Sequence, residues 1–208
     1  MGLMLQIFNG EGARRIKMNL KHTFISGIPT SGKSFLAAKI AREHHVFHVD
    51  MDELRVKMAK DSELKKWVEF FADQDEEQYW KSTNCEQDWQ NLVRQSEAFW
   101  PTFLKKISDV IAEGKPAVFE SVNILPHLAK RDLSFPGIYL LGESFGVTFQ
   151  RNKEDSRWGK TKALQQKEAE MFFYCEGEMY HKEAERCGYK TFRDITLAER
   201  EVLSLLSS

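Results

Sequence analysis

The stretch "GIPTSGKS", Gly27–Ser34, decides the fold. It completes the pattern G-x-x-x-x-G-K-S, with Gly27, Gly32, Lys33 and Ser34 at the fixed positions. The glycines let the backbone curl so that successive N–H groups converge on one point. A helix starting at the loop's end adds its positive terminus there. Such a cradle takes phosphate oxygens, with the lysine reaching the outer phosphates and the serine hydroxyl ligating Mg²⁺. The expected nucleotide contacts are therefore Gly27, Ile28, Pro29, Thr30, Ser31, Gly32, Lys33, Ser34 and the adjoining Phe35. A chance match would be no more than a glycine-rich turn. The flanks argue against chance, because apolar "HTFIS" (22–26) precedes the loop and a helical pattern over 34–44 follows it.

Four further apolar runs read as strands: "VFHVD" (46–50), "AVFES" (117–121), "GIYLLG" (137–142) and "YKTF" (189–192). Helical patterns separate most of them, which implies βαβ crossovers and a parallel sheet covered on both faces. The expected architecture is a three-layer α/β P-loop fold with strand order 2-3-1-4-5, in one domain over 1–208. Segment 53–114 is too long for a simple crossover and reads as a helical insertion over the sheet's carboxyl edge. In it, 88–113 has helical spacing, and Pro101 is expected to kink it or start a new helix. A long helix over 161–187 should close at Gly188. A last helix over 196–206 should start with Thr196 as N-cap and Glu199 completing a capping box.

The chain has 208 residues and a formal net charge of -1, so no bulk basic charge points to non-specific nucleic-acid binding. Its three cysteines, Cys85, Cys175 and Cys187, form no C-x-x-C pair and read as reduced thiols of a cytoplasmic protein. No apolar run is long enough to span a bilayer, so no membrane partner is expected. The opening "MGLMLQIFNGEGARR" lacks a basic region ahead of its apolar stretch and makes a poor signal peptide. Leu3, Leu5 and Ile7 there suggest a small accessory strand, with "NGEG" as its turn.

Binding a nucleotide does not entail transferring its phosphate. "HVDMDELR" bears on that question, because ligands of an open parallel sheet collect at the carboxyl ends of the strands. Asp50 and Asp52 fall at such an end. A carboxylate there can take the proton of an attacking hydroxyl or hold Mg²⁺ through water. Arg55 shares a helical face with Asp52, and its fork suits an acceptor phosphate or carboxylate. The plain alternative is that Asp52 and Glu53 are helix-start charges and Arg55 a surface residue.

Together, "GIPTSGKS" and "VDMDELR" resemble the P-loop kinase group. That group includes nucleoside monophosphate kinases, shikimate and gluconate kinases, the zeta-toxin family and polynucleotide kinases. The D-x-x-R form at Asp52 and Arg55 is most similar to the zeta-toxin and polynucleotide kinase branch. The resemblance implies ATP and Mg²⁺ as cofactors, Asp52 rather than Asp50 as base, and Arg55 as a substrate or phosphate contact. It covers the sheet framework and not 56–113, where substrate selection would lie.

Glu120, after the third strand, reads as a Walker B equivalent near Mg²⁺, where many relatives have Asp; a substrate contact or a turn cap are the other readings. The metal set is then Ser34, Asp50 and Glu120. "FQRNKEDSRWGKTK" is dense in cations and forms a candidate lid over 150–162, with Arg151 and Arg157 the candidates for transition-state contact. Its "NKED" matches a guanine-reading motif, but it does not directly follow a strand and no D-x-x-G accompanies it, so it reads as coincidence. His44, His45 and His48 cluster in sequence, yet His45 and His48 face opposite sides of a strand, against a shared metal. The aromatic residues of the insertion suit core packing first and stacking on an acceptor second. Its acidic residues speak against a long polynucleotide.

The sequence therefore points to ATP-dependent phosphoryl transfer to a small hydroxylated or phosphorylated acceptor. The alternatives are a 5′-hydroxyl polynucleotide kinase and a nucleotide-dependent switch whose protein partner docks on the insertion.

Overall fold

The computed structural model describes residues 21–71, 73–156 and 158–208. The accessory strand expected at Leu3–Ile7 and the lid candidate Arg157 lie outside the described residues.

β1 (Thr23–Gly27) is buried along its whole length and runs straight into the phosphate loop. α1 (Lys33–His44) leaves the loop with Gly32 as N-cap and ends on His45, at φ 57°. β2 (Phe47–Asp50) follows. The polypeptide then turns through a short 3₁₀ segment (Asp52–Leu54), α2 (Arg55–Met58), α3 (Ser62–Val68), α4 (Glu76–Ser82) and the long α5 (Cys85–Ala112). β3 (Ala117–Glu120), α6 (Pro126–Asp132), β4 (Gly137–Leu140) and α7 (Phe145–Glu154) continue the alternation. α8 (Lys162–Glu170), a π-helical turn (Met171–Glu176) and α9 (Gly177–Cys187) form one continuous helical stretch, closed by Gly188 at φ 83°. β5 (Lys190–Phe192) and α10 (Ile195–Ser207) complete the described chain.

The five strands form a sheet of order β2-β3-β1-β4-β5, with every pairing parallel. Adjacent residues of β1 point to opposite faces, as the pleat requires. Ile25 joins Leu36, Ile40, Val118, Ile138, Val202 and Leu206, so α1 and α10 cover one face. Phe24 joins Phe99, Phe103, Phe119, Leu128, Tyr139 and Tyr180, so α5, α6 and α9 cover the other. The result is a three-layer α/β fold in which burial on both sides accounts for the apolar strands. A third cluster of Tyr79, Trp80, Met171 and Cys175, with Phe70, Phe71, Trp158 and Leu164 against it, joins α4 to the π turn.

Three local expectations are corrected. Of the two outcomes expected at Pro101, a new helix does not occur: α5 continues through it as one helix. The fully buried neighbours Phe99 and Phe103 anchor both sides of the proline, and this packing outweighs the missing backbone bond. α10 is capped by Asp194, whose carboxylate accepts from the Thr196 and Leu197 N–H groups at 2.7 and 3.0 Å. Glu199 pairs with Lys39 at 2.7 Å instead of closing a capping box. Finally, Cys85 and Cys175 form a disulfide, with Cα atoms 5.0 Å apart, and only Cys187 is free. Ninety residues of sequence separate the pair. The first turn of α5 meets the π turn there, a contact that sequence spacing does not reveal. No described helix is long and apolar enough to cross a membrane.

Candidate active site

The phosphate loop is held by its own backbone. Gly27, at φ 119°, presses so closely on β4 that a Cβ would stand 2.0 Å from the Leu140 carbonyl oxygen. The next amide, of Ile28, donates to that same oxygen at 3.1 Å. Thr30 takes a left-handed φ of 58°, uncommon for a β-branched residue, and its buried hydroxyl has no hydrogen-bond partner in the structure. Ser31 Oγ and Lys33 Nζ both donate to the Ile28 carbonyl oxygen at 2.8 Å, which folds the lysine over the loop. The left-handed Gly32 (φ 97°) leaves the loop bare between Ile195 and Arg151.

The loop borders two cavities. Thr30, Gly32, Lys33, Ser34 and Phe35 line one of about 450 Å³, together with Arg151, Asp155 and Ile195. Phe35 is exposed there. Arg151 projects from α7 and donates from Nη1 to the Thr30 carbonyl oxygen at 3.0 Å, so this candidate does reach the loop. Pro29 lines the other cavity, of about 340 Å³, which also holds Asp52, Arg55, Gln95, Val122 and a wall of aromatic and acidic side chains.

Glu120 ends β3 beside β1, in register with Ile25 on one side and Asp50 on the other. Burial alone would raise its pKa. The His48 ring, the Lys33 charge and the Ser34 hydroxyl outweigh this and hold its carboxyl below the usual range. His48 Nε2 stands 3.9 Å from the carboxylate, beyond hydrogen-bond distance. Asp50 is shifted the other way by burial, with its backbone bond from Asp52 opposing and the Glu120 and Asp52 charges adding to the rise. Its Oδ1 accepts the Asp52 N–H at 2.8 Å. Asp50 borders a different cavity, on the outer edge of β2 with Phe47, His48 and Glu53.

Asp52 and Arg55 stand together. Asp52 Oδ1 accepts from Ser121 Oγ at 2.8 Å and lies 3.7 Å from Arg55 Nε. Arg55 donates to Asn123 Oδ1 at 2.7 Å and lies over the Phe99 ring at 5.3 Å. Asn123 Nδ2 in turn donates to Ser96 Oγ at 2.8 Å and Gln95 Oε1 at 3.1 Å. This network ties the loop after β3 to α5 and fixes the arginine's direction.

Ser121 and Asn123 were legible in principle, because they follow β3 at its carboxyl end. Asp88, Glu168, Glu176 and Trp158, which line the cavity beside Pro29, carried no motif. Asn152 of "NKED" is buried inside α7 and donates to Glu168 Oε2 at 2.8 Å, a structural use. Among the described residues no group of three or more His, Cys, Asp or Glu side chains is arranged to hold a metal ion. The residues near the loop nevertheless fit a phosphate-bound Mg²⁺. Ser34 and Glu120 offer oxygen atoms only, which hard cations prefer, and the orphaned Thr30 hydroxyl suits phosphate oxygens; Asp50, the third expected ligand, is in register with Glu120 but borders the cavity outside β2.

No protein-family model and no curated protein matches the sequence. Among solved structures, deoxyadenosine kinase from M. mycoides with bound dATP is similar, at TM-score 0.49 and 14% identity, over 90% of this chain and 100% of that one. Shikimate kinase from Acinetobacter baumannii in complex with shikimate gives TM-score 0.48 and 9% identity, over 90% and 93%. A gluconokinase from Sinorhizobium meliloti 1021 gives 0.44 and 15%, over 91% and 93%.

Proposed function

We propose that the protein is an ATP-dependent phosphotransferase acting on a small hydroxylated or phosphorylated acceptor. One observation carries this reading: the phosphate loop lines two cavities, and the Asp52–Arg55 pair belongs to the second. Lys33, the loop amides and Arg151 would hold the triphosphate on the first side. Ser34, with Glu120 and Asp50 behind it, would hold Mg²⁺, which supplies charge neutralisation for the phosphates. On the second side Asp52 takes the proton as the acceptor oxygen bonds to the terminal phosphorus and the bond from that phosphorus to the bridging oxygen breaks. Ser121 and Arg55 orient the Asp52 carboxylate, and Arg55, locked by Asn123, positions the acceptor. Segments 53–114 and 150–162 act as acceptor-binding insertion and lid in this reading.

The test is ADP release from Mg·ATP with and without a pool of nucleosides, nucleotides, sugars, sugar acids and oligonucleotides. Acceptor-dependent release with a phosphorylated product is expected. ATP binding without any acceptor dependence would contradict the reading.

A further inference from the structure

The second cavity is deep, aromatic and acidic. Its described lining carries four carboxyl groups, Asp52, Asp88, Glu168 and Glu176, against the one guanidinium of Arg55. Arg55 is already engaged by Asn123 and Asp52. Phe71, Trp80, Trp158 and Phe172 supply the apolar wall.

Two of these carboxyls are buried, and one of them has an oxygen that the fold does not satisfy. Glu176 is only 8% exposed, and its Oε2 has no hydrogen-bond partner in the structure. Buried polar atoms are rarely left so, because an unmade bond forfeits the group's hydration. The π turn puts Glu176 there. It shares a face with Phe172, four residues earlier, and both line the cavity. Asp88 comes from the first turn of α5 and is 3% exposed. Tyr79 donates to its Oδ1 at 2.8 Å. The disulfide between Cys85 and Cys175 fastens the two helical segments next to these acids.

We infer that the acceptor is an amine-bearing alcohol, bound with its hydroxyl at Asp52 and its protonated nitrogen between Asp88 and Glu176. This rests on the phosphotransfer reading for the ligand's role as acceptor. A protonated N–H supplies the donor that Glu176 Oε2 lacks. Trp80 and Trp158 line the same cavity, and indole rings attract cations. An anionic acceptor would enter against the surplus of carboxyls. Burial, with Asp88 next in importance, holds the Glu176 carboxyl well above its usual range, and burial brings Asp88 up to about 6. A bound ammonium favours the ionised form of both acids, and any proton that leaves goes to solvent.

The experiment uses matched probes that differ in one group. One set is phenylethanolamine, phenylethylene glycol and mandelate; the other is glucosamine, glucose and gluconate. Binding is measured by calorimetry without nucleotide, and ADP release is measured separately with Mg·ATP. In at least one set the amine should bind at least about tenfold more tightly than its neutral and acidic partners, as expected for one charge-assisted contact. Glu176→Gln, nearly isosteric, should shrink that preference to about threefold or less and leave the neutral probe unchanged; Asp88→Asn serves as the second variant. If neither set shows an amine preference in the unaltered protein, the proposal is overturned. It is also overturned if both variants fold and keep the full preference. A Glu176-dependent amine preference without acceptor-dependent ADP would uphold the cation site and refute the phosphotransfer reading instead.

Discussion

The two sides of the phosphate loop are built in opposite ways. The side we propose for the donor is shaped mainly by one short segment: Gly27 to Ser34, with Ser31 and Lys33 folded onto the Ile28 carbonyl, joined by Arg151, Asp155 and Ile195 from farther along the chain. The side we propose for the acceptor is assembled from afar, from Pro29 of the loop, Asp52 after β2, Val122 after β3, Asp88 of α5 and Glu176 of the π turn. A local site is specified by backbone geometry and tolerates change around it. An assembled site depends on how the helices pack, and it can diverge without disturbing the sheet.

The largest effect should come from the donor side. Lys33→Ala should lower ADP formation by on the order of 10³-fold, because a preorganised cation is lost where charge develops. Turnover within tenfold of the parent would remove the loop from the mechanism. Across the loop, Asp52→Asn should reduce transfer on the order of 10²-fold while ATP affinity stays within about threefold, as a base acts on the acceptor alone. Equal losses in rate and ATP binding would erase the division between the sides.

Smaller effects sharpen the same contrast through stability. Gly27→Ala must push a Cβ toward the Leu140 oxygen at a left-handed φ, so it should destabilise the fold by about 2 kcal/mol or more in urea. On the acceptor side Asp88 contributes in the other direction. Its folded-state value of about 6 exceeds that of an unfolded aspartate, so the folded state holds the proton more tightly between roughly pH 4 and pH 6. Stability from this group is greatest below that window and falls as pH rises through it. Asp88→Asn should flatten that part of the profile and leave the protein no less stable at pH 7. An unchanged slope would place the charge burden elsewhere.

The same contrast explains what the sequence revealed. Apolar runs between helical patterns placed four of the five strands within a residue at either end and overran β4 by two residues, and the loop's flanks placed β1 and α1. Strand order followed from the fold these imply. Asp52, Arg55 and Glu120 were legible because strand ends collect ligands. Glu168 and Glu176 were not, because in sequence they are two more acids in a charged helix, and only a π turn rotates Glu176 inward. The Cys85–Cys175 pairing was hidden for the same reason. At α10, Asp194 and Thr196 are both good caps, and the helix starts from the one two residues earlier.

The central claim is that one loop serves a donor on one side and an acceptor on the other. ADP release from Mg·ATP, with and without the acceptor pool and with Lys33→Ala as background, tests it most directly. Acceptor-dependent ADP matched by a phosphorylated product and absent in Lys33→Ala is the expected result. ATP binding with no acceptor dependence, or acceptor phosphorylation that survives Lys33→Ala, would contradict it.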